Sequence, residues 1–163
     1  ATVAELPPEV RSRLRIVQQC RPEDLDRVTE AYRQAKVNVE LASFFSDLPE
    51  RIANAHLVIT RSGASTVAEL CAIGRPAILV PLPGALDADQ KNNALVLEGA
   101  GGGWIAEQAT VSPLSLGTRL LSLFSEPDSL IKAAAAANSL GQPDAVKKLA
   151  DAVERIAQKG TNS

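Results

Sequence analysis

The segment Arg61-Ser62-Gly63-Ala64-Ser65-Thr66 places a glycine, an alanine and three hydroxyl side chains between an apolar run, His56–Thr60, and a stretch of helical character, Ser65–Gly74. Residues of this kind at a strand-to-helix junction suit the binding of an anion. The first amides of a helix lack intrahelical acceptors and point outward, and the helix dipole adds partial positive charge there. Gly63 and Ala64 let a phosphate reach those amides unobstructed, and Ser62, Ser65 and Thr66 add hydroxyl donors. A structural reading competes: Thr66-x-x-Glu69 fits a capping box, in which Glu69 merely returns to the helix start. The pattern alone weighs the two equally.

Other chemistry is weaker. Gly99–Trp104, GAGGGW, carries glycines like a dinucleotide-binding turn, but it precedes a strand and lacks the third spaced glycine; it reads as a helix terminator. No Gly-Lys-Ser/Thr occurs, so there is no Walker-type phosphate loop. The single histidine, His56, opens an apolar run without Cys or His at metal-ligand spacing and reads as a structural residue of a buried strand. Asp87 and Asp89 stand two apart in a solvated loop that caps the next helix. No nucleophile–base pair and no carboxylate pair emerges, so no catalytic residue, metal or cofactor is assigned to this chain.

The elements that must position this turn are those of an α/β domain. With 163 residues, 45% hydrophobic and 22% charged, the chain suits one globular domain. Aromatics are only 3%, so Leu, Val, Ile and Ala must build the core, which favours helices layered on a sheet. The net charge of −2 leaves no electrostatic footprint for nucleic acid, and no apolar run reaches the roughly 20 residues of a membrane span. Cys20 and Cys71 form no CxxC pair, and a reducing, cytosolic setting is expected.

Strand patterns at Leu14–Gln19, Val37–Phe44, His56–Thr60, Arg75–Pro83 and GWIAEQ alternate with helical ones. The helices are expected over RPEDLDRVTEAYRQA, over SDLPERIANA with Ser46 or Asp47 as cap, over Ser65–Gly74, and from about Asp89. Three more helical segments follow, the last being DAVKKLADAVERIAQ. This predicts a Rossmann-like, doubly wound parallel sheet with helices on both faces, over residues 1–158, with a frayed tail at 159–163. In such folds ligands bind at the carboxyl ends of strands, where Arg61–Thr66 lies.

Three motifs occur in order: the RSGASTVAEL turn, the GRPAILVPLP strand, and the DADQKNNALVLEGAGG helix. With them, the chain from about Leu14 to near Ala157 resembles the C-terminal half of the MurG family of bacterial peptidoglycan glycosyltransferases. The resemblance implies a GT-B enzyme of two Rossmann-like domains, whose C-terminal domain holds UDP-N-acetylglucosamine. It implies transfer of the sugar to a lipid-linked muramyl-pentapeptide, lipid I, to give lipid II, at the cytoplasmic face of the bacterial membrane. By motif, the backbone of Phe45 resembles the contact to the uracil edge. Ala64, Ser65 and Thr66 resemble the helix start that faces diphosphate and sugar, and Val67 and Ala68 complete that segment as packing. Glu69 resembles the carboxylate that accepts from both ribose hydroxyls, a bidentate match. Gln90 resembles the amide that reads the sugar hydroxyls, with Asp89 and Asn93 flanking it and Arg61, Ser62 and Gly63 supporting the turn.

Two departures stand out. Ser65 occupies a position where the family often has a bulkier apolar residue. The family's N-terminal domain, the first strand of this domain and its GGSQGA-type loop have no counterpart in the sequence, which implies a chain that binds donor poorly and is inactive alone. The rival readings are the donor-binding half of another GT-B UDP-sugar transferase, working with a membrane-bound subunit, and a non-catalytic nucleotide-binding module.

Overall fold

The computed structural model describes residues 1–84 and 89–142; the helix expected over 144–158, the tail 159–163 and Asp87 lie outside them. A 3-10 turn, Thr2–Glu5, and a four-residue helix α1 (Pro8–Arg11) open the chain. Pro7 and Pro8 explain the break between the two, since neither has an amide to donate and each restrains the residue before it.

Strand β1 (Arg15–Gln19) crosses through α2 (Leu25–Ala35) to β2 (Asn38–Ala42), and the two pair in parallel. Helix α3 (Leu48–Asn54) then leads to β3 (Val58–Thr60). From there α4 (Ala64–Ile73) leads to β4 (Ala77–Leu79), and α5 (Asp89–Gly99) to β5 (Gly103–Ile105), all parallel. Helices α6 (Pro113–Ser125) and α7 (Pro127–Ser139) follow.

The predicted class is therefore observed, with one difference: the strands form two ladders, β1–β2 and β3–β4–β5, because β1 and β3 are not hydrogen-bonded to each other. The mid-strand residues Val17 and Ile59 are each 48% exposed, so β3 is less buried than its apolar sequence predicts.

In the larger ladder the central strand explains the layering. Ala77 and Leu79 of β4 point into a core shared with Val67, Leu70, Cys71, Leu97 and Ala137, while Ile78 packs on the opposite face with Leu120 and Leu123. Alternation along a strand sends neighbours to opposite faces, so helices cover both sides of this sheet. Close packing fixes the last two glycines of GAGGG: a Cβ on Gly103 would lie 2.5 Å from the Ala77 carbonyl oxygen, and one on Gly102 would lie 2.9 Å from Ala137 Cα. Gly101, at φ 79°, turns the chain out of α5, the terminator role expected of it.

Two local expectations are corrected. His56 is exposed in a bend before β3 rather than inside a buried strand, because the ladder begins only where the Val58 amide meets the Pro76 carbonyl. Neither Ser46 nor Asp47 caps α3 through its side chain; Asp47 occupies the cap position, but its carboxylate turns to Arg51.

Candidate functional site

The site begins one residue earlier than expected. Gly63 is the N-cap of α4, and no side chain caps this end. The amide of Val67 bonds to the Gly63 carbonyl at 3.0 Å, whereas those of Ala64, Ser65 and Thr66 have no acceptor among the described residues. Three donors thus face outward from the carboxyl end of β3, at the positive end of a ten-residue helix. Ala64 and Ser65 are exposed and Thr66 half-buried, so the amides are accessible; Val67 packs in the core and Ala68 is exposed.

The capping-box reading does not survive. Thr66 is the third residue of the helix, not its cap, and the Glu69 carboxylate makes no hydrogen bond among the described residues. Glu69 lies four residues beyond Ser65 on the same helix face, and helical side chains lean toward the N-terminus. A half-buried carboxylate without a protein partner therefore stands one turn behind the free amides.

Gly63 also lacks a folding reason. Its φ of −60° and ψ of 150° suit any residue, and a Cβ there would meet nothing nearer than Thr66 Oγ1 at 3.9 Å. The glycine keeps the approach to the helix start open.

Around this turn, three loops close a hydrogen-bonded circuit. Arg61 Nη1 donates to the carbonyls of Val80 and Pro81 at 3.0 and 3.3 Å, tying the turn to the end of β4. Ser62, fully buried, donates from Oγ to the Gln90 carbonyl at 2.7 Å, and Asn93 Nδ2 donates to the Ser62 carbonyl at 3.1 Å. The Leu82 amide donates to Gln90 Oε1 at 3.0 Å, which closes the ring. Because a backbone N–H can only donate, it fixes which end of the Gln90 amide is oxygen. Gln90 Nε2, with its two N–H donors, has no acceptor among the described residues. Asp89, the first residue of α5, is exposed and unbonded among the described residues.

Phe45 stands apart from this circuit, in the turn between β2 and α3. It is 8% exposed, and its amide has no acceptor among the described residues. Arg51, absent from the sequence-based candidates, covers its ring: the guanidinium carbon sits 4.2 Å from the ring centroid. Arg51 Nε donates to Asp47 Oδ1 at 2.7 Å, and Nη1 lies 2.9 Å from Glu40 Oε2. Hydrogen bonding to Arg51 holds the Asp47 carboxyl below its usual range, and bonding to Glu40 and Asp47 pushes the guanidinium further up. The i,i+4 spacing of Asp47 and Arg51 was a legible signal, but the contact with Phe45 and Glu40 was not.

No group of three or more His, Cys, Asp or Glu side chains is arranged to hold a metal ion among the described residues. Cys20 and Cys71 are both free, and burial pushes the Cys71 thiol up.

The model of the glycosyltransferase family 28 C-terminal domain matches residues 1–156. The UDP-N-acetylglucosamine–N-acetylmuramyl-(pentapeptide) pyrophosphoryl-undecaprenol N-acetylglucosamine transferase of Paramagnetospirillum magneticum is 52% identical over 94% of this chain and 41% of its own length. The protein of the same name from Chelativorans sp. is 55% identical over 96% of this chain and 42% of its own. The chain thus spans about two-fifths of the length of these curated relatives. Among solved structures, Acinetobacter baumannii MurG superposes with a TM-score of 0.81 at 29% identity, over 94% of this chain and 46% of that one. The glycosyltransferase VinC, solved with dTDP, shares the fold at a TM-score of 0.57 and 19% identity, over 92% of this chain and 45% of its own.

Proposed function

The chain belongs to the glycosyltransferase family 28 C-terminal domain family, and on that premise we propose that it holds the donor of a transferase that moves N-acetylglucosamine from UDP to a lipid-linked muramyl-pentapeptide. The observation that carries this reading is the uncapped start of α4: three amides and, one turn behind, the carboxylate of Glu69, all without partners among the described residues, beside a glycine that the fold does not need. The amides of Ala64, Ser65 and Thr66 receive the diphosphate. Glu69 accepts from both ribose hydroxyls, Gln90 donates to a sugar hydroxyl, and the Phe45 backbone meets the uracil edge.

In the reaction, the acceptor hydroxyl oxygen attacks the anomeric carbon and inverts it. The bond from that carbon to the diphosphate oxygen breaks, and UDP leaves with the electron pair. The helix amides stabilise the charge that develops on the leaving diphosphate, so no metal or cofactor is assigned a role. The hydroxyl proton passes to a base outside this chain, where we also assign acceptor binding and contact with the cytoplasmic membrane face. No helix of the described residues is long and apolar enough to cross a membrane.

The test is a titration of the chain with UDP, UDP-N-acetylglucosamine, UDP-glucose and NAD, followed by amide chemical shifts. Shifts at Phe45, Ala64–Glu69 and Gln90, with the N-acetylated sugar preferred, are expected, and Glu69→Ala is expected to abolish UDP recognition without unfolding the chain. NAD binding in place of UDP would establish a different nucleotide module; equal binding of UDP-glucose would move the chain to another UDP-sugar transferase.

A further inference from the structure

Arg51 joins three pieces of chain that sequence separates. Its guanidinium bonds to Glu40 on β2 and to Asp47 in the turn, and it stands over the ring of Phe45, its central carbon 4.2 Å from the ring centroid. The Arg51 side chain is only 23% exposed, with both carboxylates engaged at the edges of one plane. An aspartate at a helix N-cap ordinarily accepts from the second or third amide of that helix. Here the second residue is Pro49, which has no amide, and Asp47 serves Arg51 instead. The clamp therefore leaves α3 without a side-chain cap while it locks the ring of Phe45, the residue whose amide is unbonded.

We propose that Arg51 is a positioning residue for nucleobase selection: by gripping the Phe45 ring between β2 and α3, it fixes the Phe45 peptide in register with the hydrogen-bonding edge of uracil. This rests on the reading of Phe45 as the base contact. A backbone amide and carbonyl side by side complement the O4 acceptor and N3–H donor of uracil. Cytosine, with an acceptor at N3 and an amine at C4, presents the opposite pattern. Such discrimination depends on a peptide that cannot turn to suit either base. A lysine cannot replace Arg51, because a single ammonium cannot bond to two carboxylates in one plane and lie flat on a ring.

The experiment compares UDP with CDP, which differ only in the base, by calorimetry on the chain and on Arg51→Gln, Arg51→Lys and Glu40→Gln, each with its melting temperature. The wild-type chain is expected to prefer UDP. Both Arg51 variants should lose about three- to tenfold of that preference, as expected for one ring-stacked, ion-paired cation. Glu40→Gln, on an exposed edge of the clamp, should fall between. Melting should shift little in Glu40→Gln, which keeps the test valid if Arg51→Gln folds poorly. A UDP/CDP ratio that survives every substitution, even with both ligands weakened, overturns the role of Arg51 and reduces the clamp to fold stability. A wild-type chain that binds UDP through Ala64–Glu69 yet does not distinguish the bases overturns the role of Phe45 and that of Arg51 with it. A chain that binds neither nucleotide overturns the donor reading itself.

Discussion

Gly63→Ala separates the two reasons a chain has for placing a glycine before a helix. If Gly63 served the fold, a methyl group there would meet a neighbour or force a strained backbone. Neither holds: φ is −60°, and the nearest atom to the new Cβ is Thr66 Oγ1 at 3.9 Å. Alanine is a poorer N-cap than glycine by about 0.5–1 kcal/mol. It also removes freedom from the unfolded chain, which stabilises by about 0.4–1 kcal/mol at a compatible position. The two effects offset each other, so the melting temperature should move by no more than about 2–4 °C.

Binding should respond differently. The methyl group would stand 3.9 Å from the Thr66 hydroxyl, on the residue next to the unbonded amides of Ala64 and Ser65, and is expected to crowd an anion there. Losing one hydrogen bond to a charged phosphate oxygen costs about 1.5–3 kcal/mol, or roughly 10- to 150-fold in UDP affinity. Calorimetry with UDP and a thermal melt on the same sample measure both. Gly74→Ala supplies the contrast: at φ 74°, with Asn138 Cβ 2.9 Å from the new atom, it should melt well below wild type. The reasoning is refuted if Gly63→Ala binds UDP as tightly as wild type, or if it melts as low as Gly74→Ala.

Three further outcomes follow from the same geometry. Ser62→Ala removes a buried donor to the Gln90 carbonyl, worth about 0.5–1.5 kcal/mol. It should lower melting by a few degrees and weaken UDP-N-acetylglucosamine more than UDP; equal weakening of both would mean that the bond does not orient Gln90. Gln90→Glu keeps an acceptor for the Leu82 amide but loses the Nε2 donors, so the fold should persist while the preference for the sugar nucleotide over UDP falls about tenfold or more. Retained preference would show that the outward amide group reads nothing. Asp47, held below its ordinary value of 3.8 by Arg51, contributes stability that is present above that value and lost as pH falls through the lower folded value. A carbon-detected titration of Asp47 should give a midpoint below 3.8, and a midpoint at or above it would remove the ion pair with Arg51.

Much of this was legible because local chemistry decides it. The Ala-Ile-Leu run of β4 reads as a strand buried on both faces and is one. Gly74 ends α4 in the left-handed conformation, as a glycine after an apolar helix should. The start of α4 was misread by one residue because caps are recognised by their side chains, and this cap is a glycine with none. With Gly63 as the cap, Thr66 stands three residues on, as the third helical residue, and the capping box that would pair it with Glu69 does not form. His56 was misplaced for a related reason: an apolar run shows where a strand is affordable, but the ladder shows where it begins. The circuit through Ser62 and Gln90 spans 28 residues, and the clamp from Arg51 to Glu40 crosses two elements. Period and propensity carry no information on which distant side chains meet.

What the circuit leaves unbonded is more informative than what it binds. Arg61, Ser62, Leu82 and Asn93 direct their hydrogen bonds inward, to carbonyls or to Gln90 Oε1. Among the described residues, the donors left unbonded here include three helix amides, the hydroxyls of Ser65 and Thr66, and Gln90 Nε2. Among the described residues the unpartnered carboxylates here are Glu69, one helical turn, about 5.4 Å, behind the amides, and Asp89, exposed beside Gln90. A ligand that satisfies this set must bring negative charge to the helix start and paired hydroxyl donors one turn away, with acceptor oxygens near Gln90. A dinucleotide bound through a glycine fingerprint needs only the first of these. A nucleoside diphosphate sugar supplies all three in order: the diphosphate, the ribose diol one methylene and a ring away, and the hexose hydroxyls on the other side. The polarity of the unbonded groups therefore favours that ligand independently of the resemblance that first suggested it.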